Sequence, residues 1–239
     1  MKTAEIYKLR THRKPLLSAA ALLVGVLAPS VVLIWYTPDE PTAYGDVFVS
    51  TFEVLSLILA IVFGGWLLGT EYRQDTVKRL LSTEPRRLRA LATKGVVGAA
   101  AMTSVMAATF SIGWAAARVV GSMNDVTVPW EGRSLVAFSV TALIAATVAY
   151  SLSAITRSDT FAMVGTVALV LVVEPLLNLI PKIGDYTIGS TIASLEQWMT
   201  GEAAEPVAVL STGTATVTLA VWLAGFVATG AALFATRDV

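Results

Sequence analysis

The sequence predicts an all-α, polytopic membrane protein, and three observations carry that prediction. Of 239 residues 55% are hydrophobic and only 14% are charged, and the mean hydropathy is +0.71; an ordinary soluble domain carries about 25% charged residues. The apolar residues are gathered into six windows, each close to the ~20 residues a helix needs to cross a bilayer. The basic residues fall almost entirely in alternate connections between those windows.

The windows run from Leu16 to Tyr36, Phe48 to Leu68, Gly95 to Val120, Ser134 to Ile155, Phe161 to Ile180, and Thr212 to Ala235. An even number of spans puts both termini on one side. With the N-terminus inside, fourteen of the seventeen Lys/Arg are inside, leaving only Arg118, Arg133 and Lys182 outside. That asymmetry predicts cytoplasmic termini. Spans four and six are rich in Ala, Thr and Ser, read as the least hydrophobic of the six, and are expected to face other helices more than lipid. A secretory signal peptide is the competing reading of the N-terminus, but the first apolar run is too long for one and lacks a convincing small-residue cleavage site.

Composition also removes several function classes. The chain has no cysteine, which excludes disulfides, thiolate catalysis and cysteine-ligated metals, and its one histidine, His12, lies in the basic leader. The formal net charge is zero, so no nucleic-acid partner is expected. No G-x-x-x-x-G-K-[ST] loop is present to hold nucleotide phosphates.

The connecting segments are read in order. Residues 1–15, "MKTAEIYKLRTHRKP", can form a short helix lying in the inner membrane interface on anionic lipid headgroups, or serve as a basic leader that only sets topology. Residues 70–94 join spans two and three and carry seven Lys/Arg between Gly69 and Lys94. Asp75 or Thr76 can cap a helix there, and Val77, Leu80 and Leu81 then fall at i, i+3 and i+4 on one face. The result is a short amphipathic cytoplasmic helix whose apolar side either docks on a partner or lies on the membrane interface. Residues 181–210 are long for a structureless connector, and Ile188, Ile192, Leu195 and Met199 fit a helical stripe, so an amphipathic or re-entrant outer helix is expected.

Within the spans, Glu53, Arg118 and Glu174 are ionisable groups at membrane depth, where charge is costly and commonly functional. All three fall in the outer third, and Glu174 precedes Pro175, which cannot donate a backbone hydrogen bond. They are candidates for a pathway or outer gate; an intramembrane ion pair or snorkelling to the interface is the plainer alternative. Gly65 and Gly69 form a G-x-x-x-G step whose expected use is packing within the chain.

Taken together, "AEIYKLRTHRKPLL" before span one, "GTEYRQDTVKRLLSTEPRRLRALATK" between spans two and three, and the ending "LFATRDV" resemble the permease subunits of type-2 ABC transporters, mostly bacterial exporters of drugs, lipids, peptides or polysaccharides. The second stretch is similar to the family's order of Gly-x-Glu, Thr, a Leu-Leu pair, basic residues and a Lys at the start of span three; Asp75 departs from it, since Gly is common there. The resemblance implies a single transmembrane permease domain in a bacterial inner membrane, and makes residues 70–94 the element that couples it to a separate cytoplasmic ABC ATPase. Glu71 and Thr76 are carried over from the family pattern, and Val77, Leu80 and Leu81 are added from their helical spacing. It further implies a second permease copy or paralogue, ATP and Mg held by the ATPase, and no catalysis or cofactor on this chain. A proton-coupled secondary transporter working through Glu53 and Glu174 is the alternative, and an integral membrane lipid enzyme a more distant one.

Overall fold

The computed structural model describes residues 43–83, 86–123, 125–130, 132–201 and 210–237. The expected span one and the interfacial helix of residues 1–15 lie outside the described residues. The described residues form helices joined by short turns, and no strand occurs among them.

The long helices are α1 (Ala43–Arg73), α3 (Arg87–Met123), α4 (Gly132–Thr156), α5 (Asp159–Ala168) with its continuation, and α8 (Thr212–Thr236), with the short α2 (Val77–Thr83) between α1 and α3. Five helical segments are long and apolar enough to cross a membrane: Phe48–Arg73, Arg87–Met123, Gly132–Thr156, Asp159–Asn178 and Thr212–Thr236. They coincide with expected spans two to six and run past them mainly at the charged ends. Helix α3 is the clearest case, because the basic stretch before Gly95 continues the helix.

At one end of the bundle lie the last turn of α1, α2 and the starts of α3 and α5, together with the ends of α4 and α8; this is the basic end. Helix α4 is central, packing on α1 above all and also on α8, α5 and α3. Aromatic residues fill the core away from the basic end: the Phe110 ring lies 5.0 Å from both Phe48 and Phe52, and Trp130 closes on it edge-on at 5.6 Å. Towards the basic end small residues replace them. A Cβ on Gly64 would sit 2.8 Å from Ala146 Cα, and one on Gly69 would sit 2.6 Å from Asp159 Cβ, so backbone meets backbone there. The G-x-x-x-G step is thus used for packing within the chain, Gly65 lying against Met163.

Among the described residues α8 buries only Ala215, Leu219, Gly230 and Phe234, whereas α4 buries eleven residues. Both have mean hydropathy 2.0, above the 1.6 of α3, so neither is the least apolar span. Of the described helices α4 has the most neighbours, while α8 packs chiefly on α4.

Helix α5 passes into a π-helical turn, Leu169–Val173, then a short helix α6, Glu174–Asn178. Pro175 explains the break. It cannot donate to the preceding turn, and the Glu174 N–H reaches back to the Leu169 carbonyl instead. A 3-10 turn, Gly184–Tyr186, then leads into α7 (Ile188–Thr200), which Gly201 ends in the left-handed conformation at φ 80°. Trp222 Nε1 donates to Tyr186 O at 2.9 Å, and Trp222 is ten residues along α8, about 15 Å from its start. Helix α7 therefore begins deep beside α8 and climbs back, with Ile188, Ile192 and Leu195 of its stripe packed around Ile144 and Leu219. Hydroxyls satisfy the turn at its foot: Thr187 donates to Asn178 Oδ1, and Ser190 to Gly184 O.

Candidate functional site

The basic end brings three polar residues from separate elements to one buried point. Glu71 lies in the last turn of α1. The chain then turns back through Asp75 at φ 51°, and Thr76 N–H donates to the Glu71 carbonyl at 2.9 Å as α2 begins. Thr76 Oγ1 donates to Glu71 Oε2, while Lys94 Nζ, eight residues into α3, lies 2.6 Å from Oε1. Glu71 and Lys94 are 3% and 2% exposed, so each charge has given up its water and depends on the other. The carboxylate thereby joins α1, α3 and the first residue before α2.

The turn explains the departure at position 75. A left-handed residue costs about 1–2 kcal/mol for most side chains; Gly avoids this, and Asp is among the more tolerant of the rest. Asp75→Gly is expected to raise the thermal unfolding midpoint of the purified chain by a few degrees, read in a detergent melt; a lowered midpoint would show that the Asp75 side chain supports the turn.

Below this point is an apolar cluster of Leu68, Val77, Leu91, Ala154 and Phe234, with Leu81 and Tyr72 packed against it. Val77 is 2% exposed. Within this chain the apolar side of α2 is laid on Leu68, Leu91 and Phe234, and burying Val77 there contributes about 1.5–3 kcal/mol. The Leu80 side chain lies outside the described part. Arg73, next to this site, reaches Asp159 Oδ2 at 2.5 Å across the Gly69 contact.

The chain's last turns close the site from beneath. Arg87 Nη1 donates to the carbonyls of Ala235 and Arg237 at 3.1 and 2.7 Å, and Arg237 Nη1 donates to Ile155 O at 2.7 Å. Tyr150 OH donates to Leu91 O at 2.8 Å. The free carbonyls at the ends of α4 and α8 thus receive guanidinium donors, and "LFATRDV" acts through Phe234 in the cluster and Arg237 in the strap.

Glu53 and Glu174 line one cavity, and Arg118 is not part of it. Glu174 is 8% exposed and Oε2 accepts from Gly189 N–H at 2.8 Å, so the carboxylate sits on the N-terminus of α7, where the helix dipole favours a negative charge. Glycine at 189 leaves the room it needs. A cavity of about 190 Å³ beside it is also lined by Glu53 and Glu196, and Thr141 Oγ1 donates to Glu196. Arg118 instead places its guanidinium 5.3 Å from the Trp114 ring centre, and among the described residues no ion pair joins it to either glutamate. Helix α3, which carries Arg118, packs mainly on α1 and α4.

Sequence reasoning assigned no partner to Lys94 and no role to Asp159, Arg87 and Glu196. Lys94 had a signal, a lysine at the mouth of an apolar span. The other three act through partners distant in the chain, which no local pattern announces.

The sequence model of the family described as "ABC-2 family transporter protein" matches residues 3–175, which takes in α1 to α5 and, of the site, Glu71, Thr76 and Lys94. No curated protein matches the chain. With a match over more than half its length, five membrane-length helices and the Gly-x-Glu turn seated on Lys94, the chain belongs to the ABC-2 transporter family and is a multi-pass membrane permease.

Proposed function

We propose that this permease is the membrane-spanning subunit of an ATP-driven exporter in a bacterial inner membrane, working as a pair of permeases with two separate ABC ATPases. Residues 16–36 supply a sixth span, both termini are cytoplasmic, and the basic end faces the cytoplasm. Fourteen of the seventeen basic residues then lie inside. ATP and Mg are held by the ATPase, and this chain makes no covalent change to its cargo.

The observation that carries the reading is the buried Glu71 carboxylate held by Thr76 and Lys94. A loop that only set orientation would need no such tie. Here the start of α2 is fastened to two spans, and its apolar face to two more, so a push on α2 from the cytoplasm is passed to α1, α3, α4 and α8 together. Glu71 and Thr76 are the coupling residues, and Val77 and Leu81 transmit from inside rather than dock. Towards the outer face, α7 is a re-entrant helix with Glu174 as its anchor. Glu53, exposed on α1 beside the carboxylate-lined cavity, is the pathway residue of the outer half.

Affinity purification of the tagged chain from its native membrane is expected to recover an ABC ATPase, and proteoliposomes holding both are expected to transport only with hydrolysable ATP. Transport by the purified chain alone under a pH gradient would replace this reading with a secondary transporter.

A further inference from the structure

A cavity of about 490 Å³ lies between α1, α3, α4 and α8, towards the basic end. Among the described residues no charged side chain lines it, and its hydroxyls are those of Thr147, Tyr150 and Ser151. Two of the three are used: Thr147 donates to Leu143 O at 2.7 Å and Tyr150 to Leu91 O at 2.8 Å. Ser151 is 4% exposed, and its hydroxyl makes no hydrogen bond among the described residues. Along α3 the lining runs from Leu88 to Met102, about 21 Å at 1.5 Å per residue. Spread over that length the volume is roughly 5 Å across, half the width of a helix. The space is open on its α3 side, where Leu88 and Val96 are 54% and 69% exposed.

We propose that this cavity is a lipid site that takes one acyl chain of a phospholipid from the leaflet at the basic end, with the Ser151 hydroxyl donating to the chain's ester carbonyl. Apolar space of this kind does not hold water, and a charged ligand would lose its hydration there with no partner in return. The narrow, elongated shape accepts an extended chain and is too thin for a further helix, which is 10–12 Å across. An opening on the side of α3 admits a chain that is already in the bilayer. Depth agrees with this: Ser151 is five residues short of the end of α4 at Thr156, about 8 Å below it. The ester end of a chain lies at that depth when Arg87, Arg157 and Arg237 stand at the headgroups. The chain then runs towards Met102, deeper in the same leaflet. Leu91 and Ala154 belong both to this cavity and to the cluster beneath α2, so a bound chain supports the spans that meet at Glu71. The inference rests on the placement of the helices in a membrane and is independent of ATP coupling.

The test uses the full chain in phosphatidylglycerol vesicles doped with phosphatidylglycerol that carries a photoreactive diazirine in one acyl chain, the labelled residues being read by mass spectrometry. Labelling is expected to concentrate on residues 88–102 and 143–154, at least about fivefold over the exposed faces at Leu171 and Val217, since a pocket buries most of its ligand and an open face does not. Ala99→Phe places a ring in the open side of the cavity without entering the core and is expected to abolish that excess. Val105→Phe, on α3 beyond the cavity, is expected to leave it unchanged. Ser151→Ala is expected to reduce labelling by the ester lipid about threefold, the loss of one hydrogen bond, and to leave labelling by an ether-linked analogue as it was. Phosphatidylglycerol added back to delipidated protein is expected to raise the melting midpoint of the unaltered chain and not that of Ala99→Phe. Labelling spread evenly over every exposed apolar face, or undiminished in Ala99→Phe, would overturn the site and leave only the bilayer around the protein. The chain has no cysteine of its own, so Ala99→Cys can be paired with single cysteines in residues 16–36. Cross-linking there, with the cavity unlabelled by lipid, would overturn the proposal in favour of that segment as the cover.

Discussion

Lys94→Met is expected to cost about 3–5 kcal/mol of stability, because it leaves the Glu71 carboxylate buried without its counter-charge. The pair is 2.6 Å apart with both side chains almost fully buried, so solvent cannot take over the role of the missing partner. Glu71→Leu is expected to be of similar size for the converse reason. Replacing both, Glu71→Leu with Lys94→Met, removes the two charges together and should recover most of the loss, since the desolvation cost disappears along with the attraction. The recovery separates two roles. The double variant should fold and enter the membrane, yet Thr76 has lost the carboxylate it donates to, and ATP-driven transport should remain impaired. Thermal melts of the four proteins give the coupling energy, and transport assays on the same set give the rest. Additive losses would mean that the two side chains do not depend on each other, and full transport in the double variant would reduce the tie to a stabilising contact.

Gly69→Ala is the second substitution with a large expected effect. The new Cβ would lie 2.6 Å from Asp159 Cβ, with the Asp159 backbone closer still. Nothing there can rotate away, so α1 and α5 must separate, and the Arg73 to Asp159 ion pair at 2.5 Å is lost with the contact. Overpacking of this kind costs about 1–3 kcal/mol, and strain between two backbones belongs at the upper end. Gly65→Ala, one turn away, provides the comparison. Its Cβ would meet Met163 Cγ at 2.9 Å, the middle of a flexible side chain that can take another rotamer. The yield of folded protein in detergent should fall sharply for Gly69→Ala and only slightly for Gly65→Ala; equal effects would show that the close approach at Asp159 is not the critical one.

The sequence by itself determined the class and the order of this molecule. Apolar windows of membrane length located the five helices from Phe48 to Thr236, because a segment in lipid must satisfy its own backbone and a helix does so locally. The break at Pro175, the helical stripe from Ile188 and the Thr76 helix start were legible for the same reason, since each depends on residues within one or two turns. The pattern around Glu71 and Thr76 marked the turn in which the structure buries Glu71 against Thr76 and Lys94. What only the tertiary structure decided was which way faces turn and which distant groups meet. An amphipathic stripe such as Val77 and Leu81 states that it will be covered, not by what; here the covering came from Leu68, Leu91 and Phe234, up to 157 positions away in the chain. Glu174 was visible in the sequence as a costly charge, and its partner, the Gly189 N–H, was not. Buried charge announces itself one residue at a time, whereas compensation requires two, and their pairing is fixed by helix packing over distances that local sequence patterns do not encode.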